Sequence, residues 1–196
     1  MDDKEWGIWF ESHGPASGKK MIDPELTDLD GISTRLSDLW KNGPAIITTA
    51  SLTCPIVRRR IPEIQELLLS AGDSDASRFN QISRGVIYCK EAHPVGSPAP
   101  HGEGREWITP ANMTSGILHR QPQTMQERLA LARIFKQNLM PQWIVLVDDM
   151  NNTTYDQLGT ASCMGFVVDR NGIVRGKYGW IDPRPMVGLA LQLLDL

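Results

Sequence analysis

Three short apolar runs, at residues 44–50, 85–89 and 143–147, are rich in Val and Ile and lack the alternation of a strand with one wet face. Runs of this kind form strands buried on both faces, and such strands require helices above and below their sheet. The segments between them supply that cover. Ile56, Ile61, Ile64, Leu67 and Leu68 recur at helical spacing after the first run, and Met125, Leu129, Ala132, Phe135 and Leu139 do so before the third. Pro55 suits the first turn of the earlier helix, and Pro62 inside it predicts a kink.

The flanks are less regular. Residues 1–30 have no clean period and only one dense apolar cluster, Trp6, Ile8, Trp9 and Phe10, so an extended N-terminal extension is expected there. Ser33 is placed to cap a short helix carrying Leu36, Leu39 and Trp40, which stops at Asn42-Gly43. Residues 94–121 are rich in Gly and Pro and predict a long irregular active-site loop. Beyond the third run, 166–168 and 173–178 flank Asp169-Arg-Asn-Gly172, a strong hairpin signal, and Asp182-Pro183 opens a final helix through Met186, Leu189, Ala190, Leu193 and Leu194. The order strand, helix, strand, helix, strand, hairpin, helix defines an α/β chain with parallel βαβ units and an antiparallel pair at one edge. That is the order of a thioredoxin-like fold, a central mixed sheet flanked by helices, here predicted as one domain over 1–196.

Composition narrows the function. The chain has 196 residues with 20 Lys plus Arg against 23 Asp plus Glu, a net charge of −3, so neither nucleic acid nor another polyanion is an expected partner. No window approaches the roughly 20 apolar residues of a membrane helix, and the acidic start Met-Asp-Asp-Lys-Glu lacks the apolar core of a signal peptide. A cytoplasmic protein that needs no membrane is the expectation. The cysteines number 3, Cys54, Cys89 and Cys163, with no C-x-x-C pair, which argues against a disulfide framework and a thiolate zinc site. Glu91, His93, His101 and Glu103 match no ligand spacing, so no metal is expected. Asp148-Asp149 reads as a helix cap, and His13 and His101 read as solvated loop residues.

Cys54 stands where a buried strand ends and a helix begins. Its sulfur then faces unpaired N–H groups and the positive end of the helix dipole, which favours the thiolate, and Arg58, Arg59 or Arg60 would add to this if turned inward. A small buried hydrophobe is the alternative. In thioredoxin-like folds the loop entering the hairpin packs against the nucleophile and carries a proline about three residues before the first strand aromatic. Counting back from Phe166 gives Cys163. It is either a resolving thiol that can pair with Cys54 or a small side chain filling the proline's space. Cys89 reads as a buried strand residue.

Ile87-Tyr-Cys-Lys-Glu-Ala-His-Pro94, His119-Arg120 with Gln126-Glu-Arg-Leu-Ala130, Val145-Leu-Val-Asp-Asp-Met-Asn-Asn152 and Gly176-Lys-Tyr-Gly-Trp180 resemble the iodothyronine deiodinases, in register from about Gly43 to the C-terminus. The Glu-Ala-His-Pro and His-Arg blocks are the specific ones. The resemblance implies reductive dehalogenation of iodinated aromatics, with no bound cofactor. It implies a nucleophile at Cys54, where the family has selenocysteine, a proton donor at His93 partnered by Glu91, and substrate contacts or a proton relay at His119 and Arg120. It also implies a small-molecule substrate, a thiol reductant and a homodimer. A thiolate is a poorer nucleophile and leaving group for this chemistry than a selenolate. Ser51 and Thr53, beside the nucleophile, are further substrate-binding candidates. By strand alternation Glu91 would share a face with His93 and favour its imidazolium. Two rivals remain. One is a peroxiredoxin-like peroxidase using Ser51 and an arginine such as Arg120 or Arg128, although Ile47 stands where its proline belongs. The other is a thioredoxin-like binding module with structural cysteines.

Overall fold

The computed structural model describes residues 3–70, 79–139 and 141–195. The apolar runs form the centre of a 7-stranded sheet, ordered β2-β1-β5-β4-β3-β6-β7. Its strands are β1 (Glu25–Asp28), β2 (Ser33–Arg35), β3 (Ala45–Ala50), β4 (Ser83–Tyr88), β5 (Trp143–Val147), β6 (Gly165–Val168) and β7 (Val174–Tyr178). β3 pairs in parallel with β4 and β4 with β5, while β6 and β7 extend the β3 side as the expected antiparallel hairpin.

Helices cover both faces, as the unalternating runs require. α2 (Pro55–Ser70), α4 (Met125–Lys136) and α6 (Pro183–Gln192) pack Val57, Ile61, Ile64, Leu129, Phe135 and Met186 against Ile46, Val86 and Val145. The opposite face sets Ile47, Ile87, Leu146 and Phe166 against Phe10 of α1 (Asp3–Ser12), Leu36 and Leu39 of a short 3-10 helix, and Tyr155 and Leu158 of α5 (Thr153–Leu158). Successive residues of one strand thus enter different cores. Two glycines are required by this packing. Gly85 lies under Leu39, whose Cδ1 would be 2.3 Å from an added Cβ, and Gly172 takes φ +74 in the hairpin turn.

The structure corrects three local expectations. The N-terminal extension is not simply extended: it holds α1 and then β1, and β1 pairs antiparallel with β5. Antiparallel strands therefore flank both sides of the parallel centre. Ser33 caps no helix, since it begins β2, and the following Leu36–Leu39 is a 3-10 turn flanked by Arg35 with no side-chain cap. Pro62, where a kink is expected, lies inside α2, which runs on to Ser70. The long loop contains α3 (Pro110–Ser115), capped by the Thr109 side chain and closed by Gly116 at φ 64.

Candidate active site

The C-terminal ends of β3 and β4 bring residues 51–54 and 89–93 together, at the edge where open α/β sheets bind ligands. Cys89 N–H donates to the Ala50 carbonyl at 2.9 Å, which holds the two chain ends side by side. Cys54 immediately precedes α2, and both it and Cys163 are only 2% exposed. Thr49 fixes the Cys163 loop: its Oγ1 donates to the Ala161 carbonyl and accepts from Met164 N–H, each at 2.9 Å. Ile181 N–H closes the other side on the Cys163 carbonyl at 2.8 Å.

The two thiols meet. Cys163 hydrogen-bonds the Cys54 sulfur, and this contact is the main reason that the Cys54 thiol is held below its ordinary value; the Val57 and Ile56 N–H groups of α2 and the Arg58 charge act in the same direction, against burial. Cys163 is pushed far up by the same hydrogen bond, by burial and by the Cys54 charge. The pair thus favours one negative charge, on Cys54, and one proton, on Cys163. All three cysteines are free thiols. Cys89 is buried as well, but burial drives its thiol well up and its sulfur donates only to the Ile87 carbonyl, at 3.3 Å.

Glu91 is placed differently from the expectation. β4 ends at Tyr88, so strand alternation does not extend to Glu91 and His93. The Glu91 carboxylate turns to the nucleophile's turn, where Oε2 accepts from Thr53 N–H at 2.8 Å and Thr53 Oγ1–H at 2.7 Å, and Oε1 accepts from the Tyr88 hydroxyl. Tyr88 Oη in turn accepts from Leu52 N–H at 3.1 Å. Burial raises the Glu91 carboxyl above its usual range, and among the charges acting on it is that of His119.

His93 hydrogen-bonds the loop instead. Its Nδ1 lies 3.1 Å from the Trp107 carbonyl, and the two rings meet edge to face with centroids 4.6 Å apart. A carbonyl only accepts, so Nδ1 carries the hydrogen and Nε2 is the exchangeable nitrogen. Burial lowers the His93 pKa, helped by the charges of His101 and Arg58, so the expected support of its imidazolium by Glu91 is absent.

The other candidates divide. Ser51 Oγ accepts Ala92 N–H at 3.1 Å, and Thr53 Oγ1 accepts His93 N–H at 3.0 Å, so both hydroxyls brace the two turns. His119 is half-buried and Arg120 exposed on the loop. Arg128 is buried with its guanidinium on the Asp148 and Asp149 carbonyls, and the arginine acting on Cys54 is Arg58. Asp148 caps α5 through Thr154 and Tyr155 N–H at 3.1 and 2.8 Å. His101 is more than a solvated loop residue, because its Nε2 reaches Tyr155 Oη at 3.2 Å. Glu103 pairs with Arg105 at an exposed position away from Glu91 and His93 hydrogen bonding. Asn112 and Trp107 were missed. A lone Asn and a lone Trp in a polar loop carry no sequence signal of their destination.

A thioredoxin-like fold with a dithiol pair at a helix N-terminus is the class that these features define. Solved structures share the fold at low identity: a thioredoxin-like protein from Bacteroides caccae (TM-score 0.59, 12% identity, 98% of this chain and 56% of that one) and a protein described as a thiol:disulfide interchange protein from Chlorobium tepidum (0.55, 15%, 93% and 98%). The thioredoxin domain of a thiol-disulfide oxidoreductase from Bacteroides vulgatus is a further example (0.50, 13%, 83% and 87%). No protein with a curated description matches the sequence significantly. The iodothyronine deiodinase family model matches residues 16–183, and the chain belongs to that family.

Proposed function

We propose that this chain is a thiol-dependent oxidoreductase that removes iodine from aromatic rings, with Cys54 as nucleophile. The observation that carries the reading is a sulfur favoured as thiolate by the Cys163 thiol, two helix N–H groups and Arg58, in a member of the deiodinase family. The Cys54 thiolate attacks iodine, the S–I bond forms, the C–I electron pair stays on the ring carbon, and that carbon takes a proton. Cys163 then loses its proton, attacks the Cys54 sulfur and expels iodide, leaving a Cys54–Cys163 disulfide. An external dithiol, or two thiols, restores the pair. The sum is aryl iodide plus two thiols giving arene, iodide, a proton and disulfide.

His93 is the proton carrier through Nε2. Because burial keeps its pKa below the ordinary 6.5, it is mostly neutral at pH 7 and must first collect a proton from solvent. His119 and Arg120 remain the substrate contacts, whereas Ser51 and Thr53 frame the site. Glu91 positions Thr53 rather than charging His93. A small-molecule thiol as reductant, a homodimer and a cytoplasmic setting complete the proposal. The described helices include none long and apolar enough to cross a membrane. Thiol redox chemistry also fits the similarity in fold to proteins described as thiol-disulfide interchange proteins and oxidoreductases. The peroxidase reading is weakened by the engagement of Ser51 with Ala92 and of Arg128 with two carbonyls.

The test is iodide release from iodinated phenols with dithiothreitol. Release that disappears in Cys54→Ala supports the proposal. Rapid peroxide consumption by the reduced protein without iodide release overturns it in favour of a peroxidase.

A further inference from the structure

The long loop reaches the nucleophile's turn through one completely buried side chain. Asn112 lies on α3 at 0% exposure. Its Nδ2 donates to the Thr53 carbonyl at 2.8 Å, and its Oδ1 accepts from Arg58 Nη2 at 2.8 Å. Arg58 Nη1 closes the circuit by donating to the Leu52 carbonyl at 2.6 Å. The carboxamide has one allowed orientation, because a carbonyl can only accept and a guanidinium can only donate. Leu52, Thr53, Arg58 and Asn112 therefore form a closed bracket around the residues that lead into Cys54.

We infer that Asn112 is a positioning residue for the nucleophile: it fixes Arg58 beside Cys54 and holds the turn so that the first N–H groups of α2 aim at the sulfur. The reasoning is geometric. An arginine side chain is long and loses considerable rotamer freedom when fixed, and among the described residues Leu52 O and Asn112 Oδ1 hold its guanidinium by hydrogen bonds. Without Asn112 the guanidinium keeps one anchor and swings toward water, and the Thr53 carbonyl loses its partner inside the protein. Both changes weaken the field that favours the thiolate. A loop far from α2 in sequence thus controls the reactivity of the residue that opens α2.

This inference deepens the role proposed for Cys54, and its test is independent of iodine chemistry. The readout is the pH dependence of Cys54 alkylation by iodoacetamide in the full chain, followed by peptide mapping. Asn112→Ala is expected to raise the midpoint by about one unit, a roughly tenfold loss of thiolate below it. Asn112→Asp should raise it further, since the isosteric carboxylate sets an oxygen against the Thr53 carbonyl and adds a buried anion near the sulfur. Arg58→Met provides the second route if the Asn112 variants fold poorly. Arg58→Met with Asn112→Ala should shift the midpoint less than the sum of the separate shifts, because both act through the same guanidinium. Unchanged midpoints in folded variants, or additive shifts, overturn the inference. Absence of iodide release from the wild-type protein, with these midpoint shifts present in the variants, would count against the proposed reaction and leave the bracket standing.

Discussion

Cys54 and Cys89 stand at the ends of neighbouring parallel strands, both buried and both free, yet their thiols are driven in opposite directions. Burial alone raises a thiol pKa, and Cys89 shows that effect with only a carbonyl to receive its hydrogen. At Cys54 the same cost is outweighed by a helix start, a second thiol and a guanidinium. The strand end is common to both. What separates them is the element that follows, a helix after Cys54 and an irregular turn after Cys89, together with the hairpin loop that brings Cys163 to one and not the other.

The largest effect expected from this contrast is on reactivity. Cys54→Ser should abolish iodoacetamide labelling of the native protein at pH 7 and any redox turnover, a loss of about a thousandfold or more, whereas Cys89→Ser should leave both within about twofold. In wild type, labelling should rise with pH to a plateau whose midpoint lies below the ordinary 9.0, with Cys89 labelled only on unfolding. Equal labelling of Cys54 and Cys89 at pH 7 would break the comparison.

Next in size is a stability effect at the carboxylate that braces the Cys54 turn. Glu91→Ala leaves Thr53 N–H, the Thr53 hydroxyl and the Tyr88 hydroxyl without their acceptor inside the protein, and a loss of about 3 kcal/mol or more in urea unfolding is expected. Glu91→Gln keeps an acceptor for Thr53 and should lose much less. The pH sign follows from the raised Glu91 pKa. The folded chain holds this proton more tightly than the unfolded one, so the Glu91 contribution falls as pH rises above about 4.5 through the folded value. Glu91→Gln should remove that slope. A slope unchanged in the glutamine variant would show that another group causes it.

The thiol pair gives a smaller, sharper effect. Cys163→Ala removes the leading cause of the lowered Cys54 pKa and should raise the alkylation midpoint by about one unit, while Cys163→Ser, still a hydrogen-bond donor, should raise it less. Both should abolish formation of an intramolecular disulfide on mild oxidation. A midpoint that ignores Cys163 would leave the helix start as the sufficient cause.

These contrasts mark what the sequence could carry. The buried strands, the Asn171-Gly172 turn and the cysteine at a strand-to-helix junction are local patterns, and they were legible. β1 and β2 were not, because strands of 4 and 3 residues are too short to show a period. Glu91 was misdirected for a definite reason: alternation holds only while the strand continues, and β4 stops at Tyr88. Asn112 and His101 lie in a loop whose path is set by what it packs on, and no periodicity records that.

The run Arg58-Arg59-Arg60 gives the smallest expected effect and the finest test of this division. Three consecutive residues on a helix point about 100° apart, so the sequence leaves open which of them faces the cysteine. In the structure Arg58 turns to Leu52 and Asn112, Arg60 pairs with Glu63 at 2.9 Å on the helix surface, and Arg59 is exposed. Arg59→Ala and Arg60→Ala should therefore move the Cys54 alkylation midpoint by no more than about 0.2 unit at physiological salt, where exposed charges are screened within about 8 Å. Arg58→Met should move it several times further at the same net charge change. Equal shifts from all three would mean that the summed charge of the helix start, rather than the bracketed guanidinium, sets the thiolate apart from Cys89.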